Sequence, residues 1–451
     1  MTGTIGDAAV VHELAPQPST LVLFGRTPER IASMARLLAQ WLTGAGARVR
    51  LADVAHTLNH HRAWHPLFAT VCARDHAQAI VGLTALAEGR PAAGVVGPHE
   101  GPCGTGTVFV YSGEGSQWAG MGRQLLADEP DFAIALAELE PIFVQQVGFS
   151  LQRVLAAGEP VVGTERVQPV LMGLQLALTE LWRVYGTIPQ AVVGHSMGEV
   201  TAAVVTGALS VAEGLRVIAI RSRLMARLAG QGAMASLQLG AASTARLIAD
   251  YPGVAVASFS SPRQTVVAGP PAQVDAVIAA VRRENRLARR LSTEVAASTQ
   301  QMDSIAAELR SALADIAPKK PIARLISTVT DPCIAPILDA EYWVENARRP
   351  VEFRKAITIA GRDNATFIEI SPHPVLTHAV TETLGGTHHH SVGTLWRDGD
   401  DTVSFRTNVN ATHSIYPPET PHPAAPRPVL PTMPPRRTPL SISAARVEDR
   451  R

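Results

Sequence analysis

The sequence has few cysteines and lacks any long apolar run. Its 451 residues include three cysteines, Cys72, Cys103 and Cys333, which lie far apart and form no C-x-x-C pair. This odd, sparse set excludes a disulfide framework and a cysteine-based zinc site, and it is typical of a reducing compartment. No apolar run is long enough to span a bilayer, and the first residues lack the basic and apolar regions of a signal peptide. We therefore expect a cytoplasmic protein without a membrane segment.

Excess charge of one sign is also missing. The formal net charge is +1, and no block of like charge or basic stretch interleaved with aromatics indicates a nucleic-acid partner. The consecutive histidines His388, His389 and His390 could suggest a metal. Because only one face of such a run can converge on an ion, we interpret them as a solvated loop and expect no metal. The hydrophobic content of 46% is ample for sizeable cores.

A small α/β unit occupies the first part of the chain. Residues 21–24 (LVLF) predict a strand, and Thr27-Pro28-Glu29 predicts a helix start with a capping residue, proline at the first position and an early acid. A short helix over 51–58 and a strand over 67–73 follow. The Gly- and Pro-rich stretch 91–106 then predicts a domain boundary.

A second, larger α/β unit begins with a strand over 108–111. Between about 232 and 292 the pattern changes and predicts strand, helix, two strands, helix and strand, an order typical of a ferredoxin-like insert. From Tyr416 onward, prolines recur every few residues with few large apolar side chains. Such a segment cannot bury enough surface to offset its ordering entropy, so we expect it to run extended.

The most informative motif is Gly194-His195-Ser196-Met197-Gly198, which follows the apolar run 191–193 and precedes a helix-like stretch over 199–209. A serine between strand and helix in a G-x-S-x-G pattern is a nucleophile elbow, whose tight turn leaves no room for side chains two residues before and after the serine. Glu199 falls in the first turn, where the helix dipole favours an acid. The alternative is a chance match in a Gly- and Ala-rich chain. The flanking strand and helix favour a serine nucleophile for acyl transfer.

In these motifs the chain resembles the acyltransferase domain of modular type I polyketide synthases. The motifs that carry this resemblance are 109–122 (FVYSGEGSQWAGMG), 167–169 (VQP), 194–199 (GHSMGE), 221–225 (RSRLM), 232–234 (GAM) and 371–376 (SPHPVL). Residues 53–62 (DVAHTLNHHR) and 394–397 (TLWR) resemble the linkers that flank the domain. The sequences of these motifs most resemble those of actinobacterial, mycobacterial-type synthases that make methyl-branched lipids.

The resemblance implies an α/β fold with an α/β-hydrolase-like large subdomain, an inserted ferredoxin-like small subdomain and a small α/β linker domain in front. The implied boundaries are a leader over 1–19, the ketosynthase–acyltransferase linker domain over 20–105, the large subdomain over 106–231 and 298–395, the small subdomain over 232–297, and a Pro-rich, partly extended post-acyltransferase linker over 396–451.

The implied reaction has two steps. Ser196 takes a malonyl-type group from coenzyme A and passes it to the phosphopantetheine thiol of an acyl carrier protein, with the ketosynthase of the same polypeptide as a further partner. No tightly bound cofactor is implied. The family stabilises the oxyanion with two backbone N–H groups, which map here to Met197 and Glu114, and losing one such donor typically slows the reaction roughly a hundredfold or more. Glu114 replaces the glutamine usual in this family, and we expect its carboxylate to turn away from the oxyanion.

Two polar residues map to the substrate pocket. Arg221 matches the arginine that grips the free carboxylate of the substrate, since a planar guanidinium can hold a carboxylate through two parallel hydrogen bonds. The alternative is that Arg221 pairs with a surface acid. Gln168 is expected to line the pocket by a polar contact, or else to face water in a loop.

The residue expected to act as the base is missing. The family places a histidine where this chain has Ser298, and no histidine occurs between His195 and His373. Loss of the catalytic histidine in a serine hydrolase slows turnover on the order of a millionfold. Either the chain is altered at its base and weak or inactive, or another histidine substitutes, or the local alignment is wrong. We favour the first. His373 is the best substitute, although a role as a packed loop residue is the more expected one, and the elbow should point His195 away.

The residue before the missing base influences the choice of extender unit. Ala297 is small and leaves space for a methyl group, so we expect methylmalonyl over malonyl, although Met197 could narrow the pocket; one methyl group is worth roughly 1–3 kcal/mol. Two other function classes stay open. One is a catalytically silent docking module of a synthase, suggested by Ser298. The other is a generic serine esterase, against which the position of Arg221 argues.

Overall fold

The computed structural model describes residues 16–99, 104–413, 416–417 and 428–431. Cys103, almost all of the predicted leader and most of the Pro-rich segment lie outside the described residues. The chain divides into two compact units, one of residues 1–98 with 419–451 and one of residues 99–418.

The first unit is a three-stranded antiparallel sheet covered by helices. Its elements are β1 (Ser19–Gly25), α1 (Pro28–Thr43), α2 (Leu51–His60), β2 (Leu67–Ala73), α3 (His76–Ala87) and β3 (Val95–Val96), with β2 in the centre of the sheet. The Thr27 hydroxyl accepts from Arg30 N and Pro28 opens α1, as the sequence predicts. Leu430 is buried in the core of this unit, which contains Leu21, Ile31 and Leu83.

The second unit begins with the strand that leads to the first loop of the site. Its first half runs through β4 (Thr107–Tyr111), α4 (Arg123–Asp128), α5 (Pro130–Val147), α6 (Leu151–Ala157), α7 (Thr164–Val184), β5 (Ala191–Gly194), α8 (Gly198–Val205) and α9 (Val211–Ala226). A capping box between Ser210 and Glu213 fixes the start of α9. This helix carries Arg221.

An inserted antiparallel sheet follows α9. Its elements are β6 (Ala233–Leu237), α10 (Ala241–Ile248), β7 (Ala255–Ser261), β8 (Gln264–Gly269), α11 (Pro271–Arg283) and β9 (Ala288–Arg290), in the strand order β7-β8-β6-β9. All neighbouring strands are antiparallel. The βαββαβ order and this sheet are those of the ferredoxin-like fold.

The chain then returns to the larger sheet. The remaining elements are a 3₁₀ turn (Gln300–Met302), α12 (Asp303–Ala312), β10 (Arg324–Ile326), α13 (Ala340–Arg348), α14 (Phe353–Ala360), β11 (Thr366–Ile370), α15 (Thr377–Leu384), β12 (His390–Val392) and α16 (Asp401–Thr412). Helix α16, at the start of the segment assigned to the second linker, was not predicted from the sequence.

Five parallel strands form the large sheet in the order β10-β5-β4-β11-β12. Alternate residues of the central strand β4 enter two different cores: Phe109 and Tyr111 on one face, Val108 and Val110 on the other. Helices therefore cover both faces, and the carboxyl ends of β4 and β5 meet at one edge. The α/β fold with an inserted small subdomain is confirmed.

Among the helices of the described segments, none is by itself long and apolar enough to cross a membrane. The bent pair Pro130–Val147 and Leu151–Ala157, at 110°, meets the length and composition criteria only jointly.

Candidate active site

Ser196 stands on a sharp turn between β5 and α8. Its φ of 55° lies in the left-handed region, which is strained for a residue with a side chain. A Cβ at position 194 would collide with the backbone of Glu199, and one at position 198 with the carbonyl of Tyr111. Both flanking glycines are therefore required by backbone contacts, as the elbow pattern predicts.

Glu199 anchors this turn from inside the protein. Its Oε1 accepts from Thr328 N (2.6 Å) and Thr328 Oγ1 (3.0 Å), and its Oε2 accepts from Tyr342 Oη (2.8 Å) and Asn346 Nδ2 (2.9 Å). The Asn346 amide also donates to the Ser196 carbonyl at 3.1 Å. Burial raises the pKa of Glu199 against the lowering effect of these donors. Glu199 thus fastens the elbow to the loop after β10 and to α13, a role that its position in the first helical turn did not reveal.

Arg221 projects from α9 to the serine. Its Nη2 donates to Ser196 Oγ at 3.1 Å and its Nη1 to Gln168 Oε1 at 2.5 Å. The side chain is buried, and Nε has no hydrogen-bond partner among the residues that the structure describes. Burial lowers the pKa of the guanidinium to about 10, with Glu114 acting in the opposite direction. The group is therefore charged at neutral pH. The alternative of a surface ion pair is wrong for this arginine.

Gln168 and Glu114 complete a chain of side-chain contacts. Gln168 is buried within α7, not in a loop facing water, and its Nε2 donates to Glu114 Oε2 at 3.0 Å. Thr164 Oγ1 donates to Glu114 Oε1 at 3.3 Å. Burial raises the pKa of Glu114, while Gln168 and the charge of Arg221 lower it. The contacts run from Glu114 through Gln168 and Arg221 to the serine hydroxyl.

These residues line one cavity of about 360 Å³ between the large sheet and the inserted sheet. The sequence-predicted residues on its wall are Glu114, Gln168, His195, Ser196, Met197, Arg221, Ala297 and Ser298. Arg289, Arg290 and Arg397 are exposed and also line it. The structure thus brings together all the predicted site residues except His373.

The two residues whose backbone N–H groups are predicted to bind the oxyanion both line the cavity. They are Met197, directly after the serine, and Glu114, in the loop after β4. Within the described segments, neither N–H donates to another protein group. The Glu114 carboxylate is directed to Thr164 and Gln168, which keeps it on the α7 side of the cavity.

Ser298, which the sequence resemblance aligned with the expected histidine, lies in the loop after β9. Its φ is 59°, its backbone N–H donates to the Ala347 carbonyl at 2.9 Å, and the residue is buried. Ser298 also borders a second cavity, of about 500 Å³, on the other side of the loop. A neutral hydroxyl cannot take the proton of Ser196 near neutral pH.

Neither candidate substitute histidine contacts the serine hydroxyl. The half-buried ring of His195 contacts Ser258 Oγ through Nε2 at 3.2 Å, and burial lowers its pKa to about 4. His373 Nδ1 accepts from Arg397 N at 3.2 Å, and its ring packs edge-on against Trp396. His373 does not line the cavity, so the expectation that it could replace the base is not supported by its position.

The expectation of a solvated loop holds for His388 and His389, which precede β12, but not for His390. His390 begins β12, pairs with Thr366 of β11 and stacks on His99 at 4.8 Å between ring centroids. Burial lowers the pKa of both rings. Within the described residues, no group of three or more His, Cys, Asp or Glu side chains is arranged to hold a metal ion.

Comparison with known proteins agrees with this geometry. Residues 108–417 match the family model described as the acyl transferase domain. The chain is 57% identical over 429 residues to one of the phenolphthiocerol/phthiocerol polyketide synthase subunits of Mycobacterium tuberculosis, a match that covers 92% of this chain and 28% of that protein. The chain thus spans just over a quarter of the length of this relative.

Two solved structures are similar. The acyltransferase domain of the polyketide synthase PpsC of Mycobacterium tuberculosis has a TM-score of 0.64 and 56% identity, covering 66% of this chain and 93% of that one. The acyltransferase domain from module 8 of the salinomycin polyketide synthase has a TM-score of 0.79 and 38% identity, and the match covers 89% of this chain and 96% of that one. The chain therefore belongs to the acyl transferase domain family, as it occurs in polyketide synthases.

Proposed function

We propose that this domain loads a malonyl-type extender unit, methylmalonyl in preference to malonyl, from coenzyme A onto Ser196 and then onto the phosphopantetheine thiol of an acyl carrier protein. One observation carries the proposal: Arg221 Nη2 lies 3.1 Å from Ser196 Oγ in a single cavity. A short diacid can therefore place its thioester carbonyl at the hydroxyl while its free carboxylate pairs with the guanidinium.

The chemistry of each half-reaction follows from this arrangement. The Ser196 oxygen attacks the thioester carbonyl, the C–S bond breaks, and the coenzyme A sulfur leaves with the proton that the serine gives up. The backbone N–H groups of Met197 and Glu114 stabilise the oxyanion formed on the way. The carrier thiol then attacks the ester carbon, and the proton returns to Ser196.

Removal of the Ser196 hydroxyl proton is the step that lacks a catalytic group. No side chain on the cavity wall within the described residues combines a suitable basicity with a hydrogen bond to Ser196 Oγ, because Ser298 stands where the histidine is expected. We therefore propose that the transferase is impaired. Restoring the base with Ser298→His should raise the loading rate on the order of a thousandfold or more.

The test is intact mass after incubation with malonyl- and methylmalonyl-coenzyme A, which reports loading and extender choice together. Ser196→Ala gives the background, and Ser298→Ala is the matched control, since removing a hydroxyl that is not the base should leave loading unchanged. Because Ser298 borders two cavities, free imidazole should also enter and accelerate loading of the Ser298→Ala chain. If Ser298→His loads no faster than Ser298→Ala, the assignment of the base position is wrong.

A catalytically silent docking module is the second candidate, favoured by the missing base at Ser298. The two functions differ in one measurable property. Acyl transfer to a carrier protein above the Ser196→Ala background excludes the silent module.

We further propose that the flanking regions act as linkers of a larger synthase in the cytoplasm. The first unit corresponds to the assigned ketosynthase–acyltransferase linker, and Leu430, from the post-acyltransferase segment, packs into its core. The carrier protein and a ketosynthase of the same polypeptide are the partners that this assignment predicts, with no nucleic acid and no membrane partner.

A further inference from the structure

The cavity holds a negative charge close to the cation that is meant to bind a negative substrate. Glu114 lies on the cavity wall, and its carboxylate reaches Arg221 through Gln168, whose amide donates to Glu114 Oε2 and accepts from Arg221 Nη1. A carboxylate is acceptor-only and a guanidinium donor-only, so these two neighbours fix the amide orientation of Gln168. Nη1 of Arg221 is therefore already engaged by Gln168, and Nη2 is the terminal nitrogen that contacts Ser196 Oγ.

This arrangement opposes the binding of a second carboxylate. An ionised Glu114 offsets part of the positive potential of Arg221, and a diacid entering the cavity would bring a like charge near it. A neutral acyl thioester meets no such penalty, because it has no charge to place. A neutral side chain at this position would leave the guanidinium uncompensated.

We propose that Glu114 is a specificity-determining residue, which in its ionised form weakens the preference of the cavity for dicarboxylic over neutral acyl thioesters and in its protonated form restores it. This inference rests on the proposed function, since it concerns which acyl-coenzyme A the same cavity accepts. It assigns Glu114 a role in ground-state selection that is separate from the missing base at Ser298.

Several other charged and titratable groups lie around Glu114 or line the same cavity. Arg221 faces it from α9 and keeps its charge, and burial keeps His195 neutral. Glu165 contributes a like charge from the start of α7. The guanidinium groups of Arg289, Arg290 and Arg397 also line the cavity. Burial raises the pKa of Glu114, so lowering the pH toward 6 increases its protonated fraction.

The experiment measures equilibrium binding of methylmalonyl-coenzyme A and propionyl-coenzyme A by calorimetry. These thioesters differ by the free carboxylate alone. All chains carry Ser196→Ala, so that no acyl-enzyme forms, and each is measured between pH 6 and pH 8. Glu114→Gln is compared with Glu165→Gln, which removes a nearby charge that forms no hydrogen bond to Gln168 in the structure.

Glu114→Gln should raise the ratio of methylmalonyl to propionyl affinity about tenfold at pH 8, which corresponds to about 1.4 kcal/mol. Its ratio should also change little with pH, whereas the ratio of the parent chain should rise as the pH falls. Glu165→Gln should change the ratio less than threefold. A ratio that Glu114→Gln leaves unchanged overturns the inference and leaves the proposed function standing. If neither thioester binds to the parent chain or to Glu114→Gln, both are overturned.

Discussion

Replacing Glu199 by glutamine keeps the shape of the side chain but changes the hydrogen bonds that anchor the turn at Ser196. The carboxylate accepts four hydrogen bonds, two at each oxygen, from Thr328, Tyr342 and Asn346. An amide offers one oxygen and one NH₂ group, so two of these donors must face an N–H. The amide of the new glutamine has two possible orientations. In the first, its NH₂ group takes the place of Oε1 and opposes the Thr328 backbone N–H, which cannot turn. In the second, the NH₂ group takes the place of Oε2 and opposes the Asn346 amide.

The second orientation has the smaller cost but loosens the serine. The Tyr342 hydroxyl can rotate to accept, since Ser327 Oγ lies 2.7 Å away as an alternative partner. Asn346 can accept only by flipping its amide, which removes its bond to the Ser196 carbonyl. Each orientation loses or opposes one hydrogen bond of a buried group, a cost of about 1–3 kcal/mol. We expect Glu199→Gln to destabilise the second unit by about 2 kcal/mol and to lower its Tm by roughly 3 °C.

Thermal unfolding by calorimetry measures the loss of stability. The loading rate in the Ser298→His background measures whether Ser196 is still held in position. Glu308→Gln is the control, because this exposed carboxylate pairs with Arg227 at the surface, where solvent screening leaves an ion pair little effect on stability. Equal Tm values for Glu199→Gln and Glu308→Gln would refute the anchoring role. Destabilisation without slower loading would show that Glu199 stabilises the fold but does not position Ser196.

Three further substitutions test separate features. Gly198→Ala forces a Cβ into the Tyr111 carbonyl and should abolish loading and lower Tm, whereas Gly386→Ala, with open space around it, should change neither. Arg221→Lys in the base-restored chain should reduce methylmalonyl loading about tenfold or more, because an ammonium group cannot make the paired contact; equal rates would refute carboxylate binding there. Burial raises the pKa of Asp401 to about 7, so the folded chain loses stability as the pH rises from about 4 to 7. Chemical denaturation should show that the free energy of unfolding of Asp401→Asn, relative to that of this chain, increases by about 2 kcal/mol between pH 5 and 8. If the difference between the two free energies stays constant over this range, the raised pKa is contradicted.

The features of the site that could be predicted from sequence are those set by local backbone geometry. The spacing of Gly194, Ser196 and Gly198 after an apolar run is enough to predict the elbow, because the turn itself leaves no room for a Cβ at either glycine. The inserted sheet could also be predicted, because the order of its strands and helices along the chain allows few topologies.

The features that escaped prediction depend on contacts distant in sequence. The partners of Glu199 lie 129 to 147 residues further along the chain, so its place in the first helical turn indicated a favourable interaction with the helix dipole and nothing more. Gln168 precedes Pro169, a pair typical of a loop, yet both lie in the second turn of α7, which is buried along most of its length. His390 is half-buried because β12 adds to the sheet beside β11.

The backbone around Ser298 bears on whether one substitution can restore the base. A φ of 59° is uncommon for residues other than glycine, and histidine, asparagine and aspartate adopt it more readily than most. The bond from Ser298 N to the Ala347 carbonyl holds this conformation, and Ser298 lines the same cavity as Ser196. We therefore expect histidine at this position to keep the main-chain conformation. Recruiting His373 would require breaking its contacts with Arg397 and Trp396 and moving its ring into a cavity that it does not line. The shorter physical route to an active base is thus the replacement of Ser298 itself.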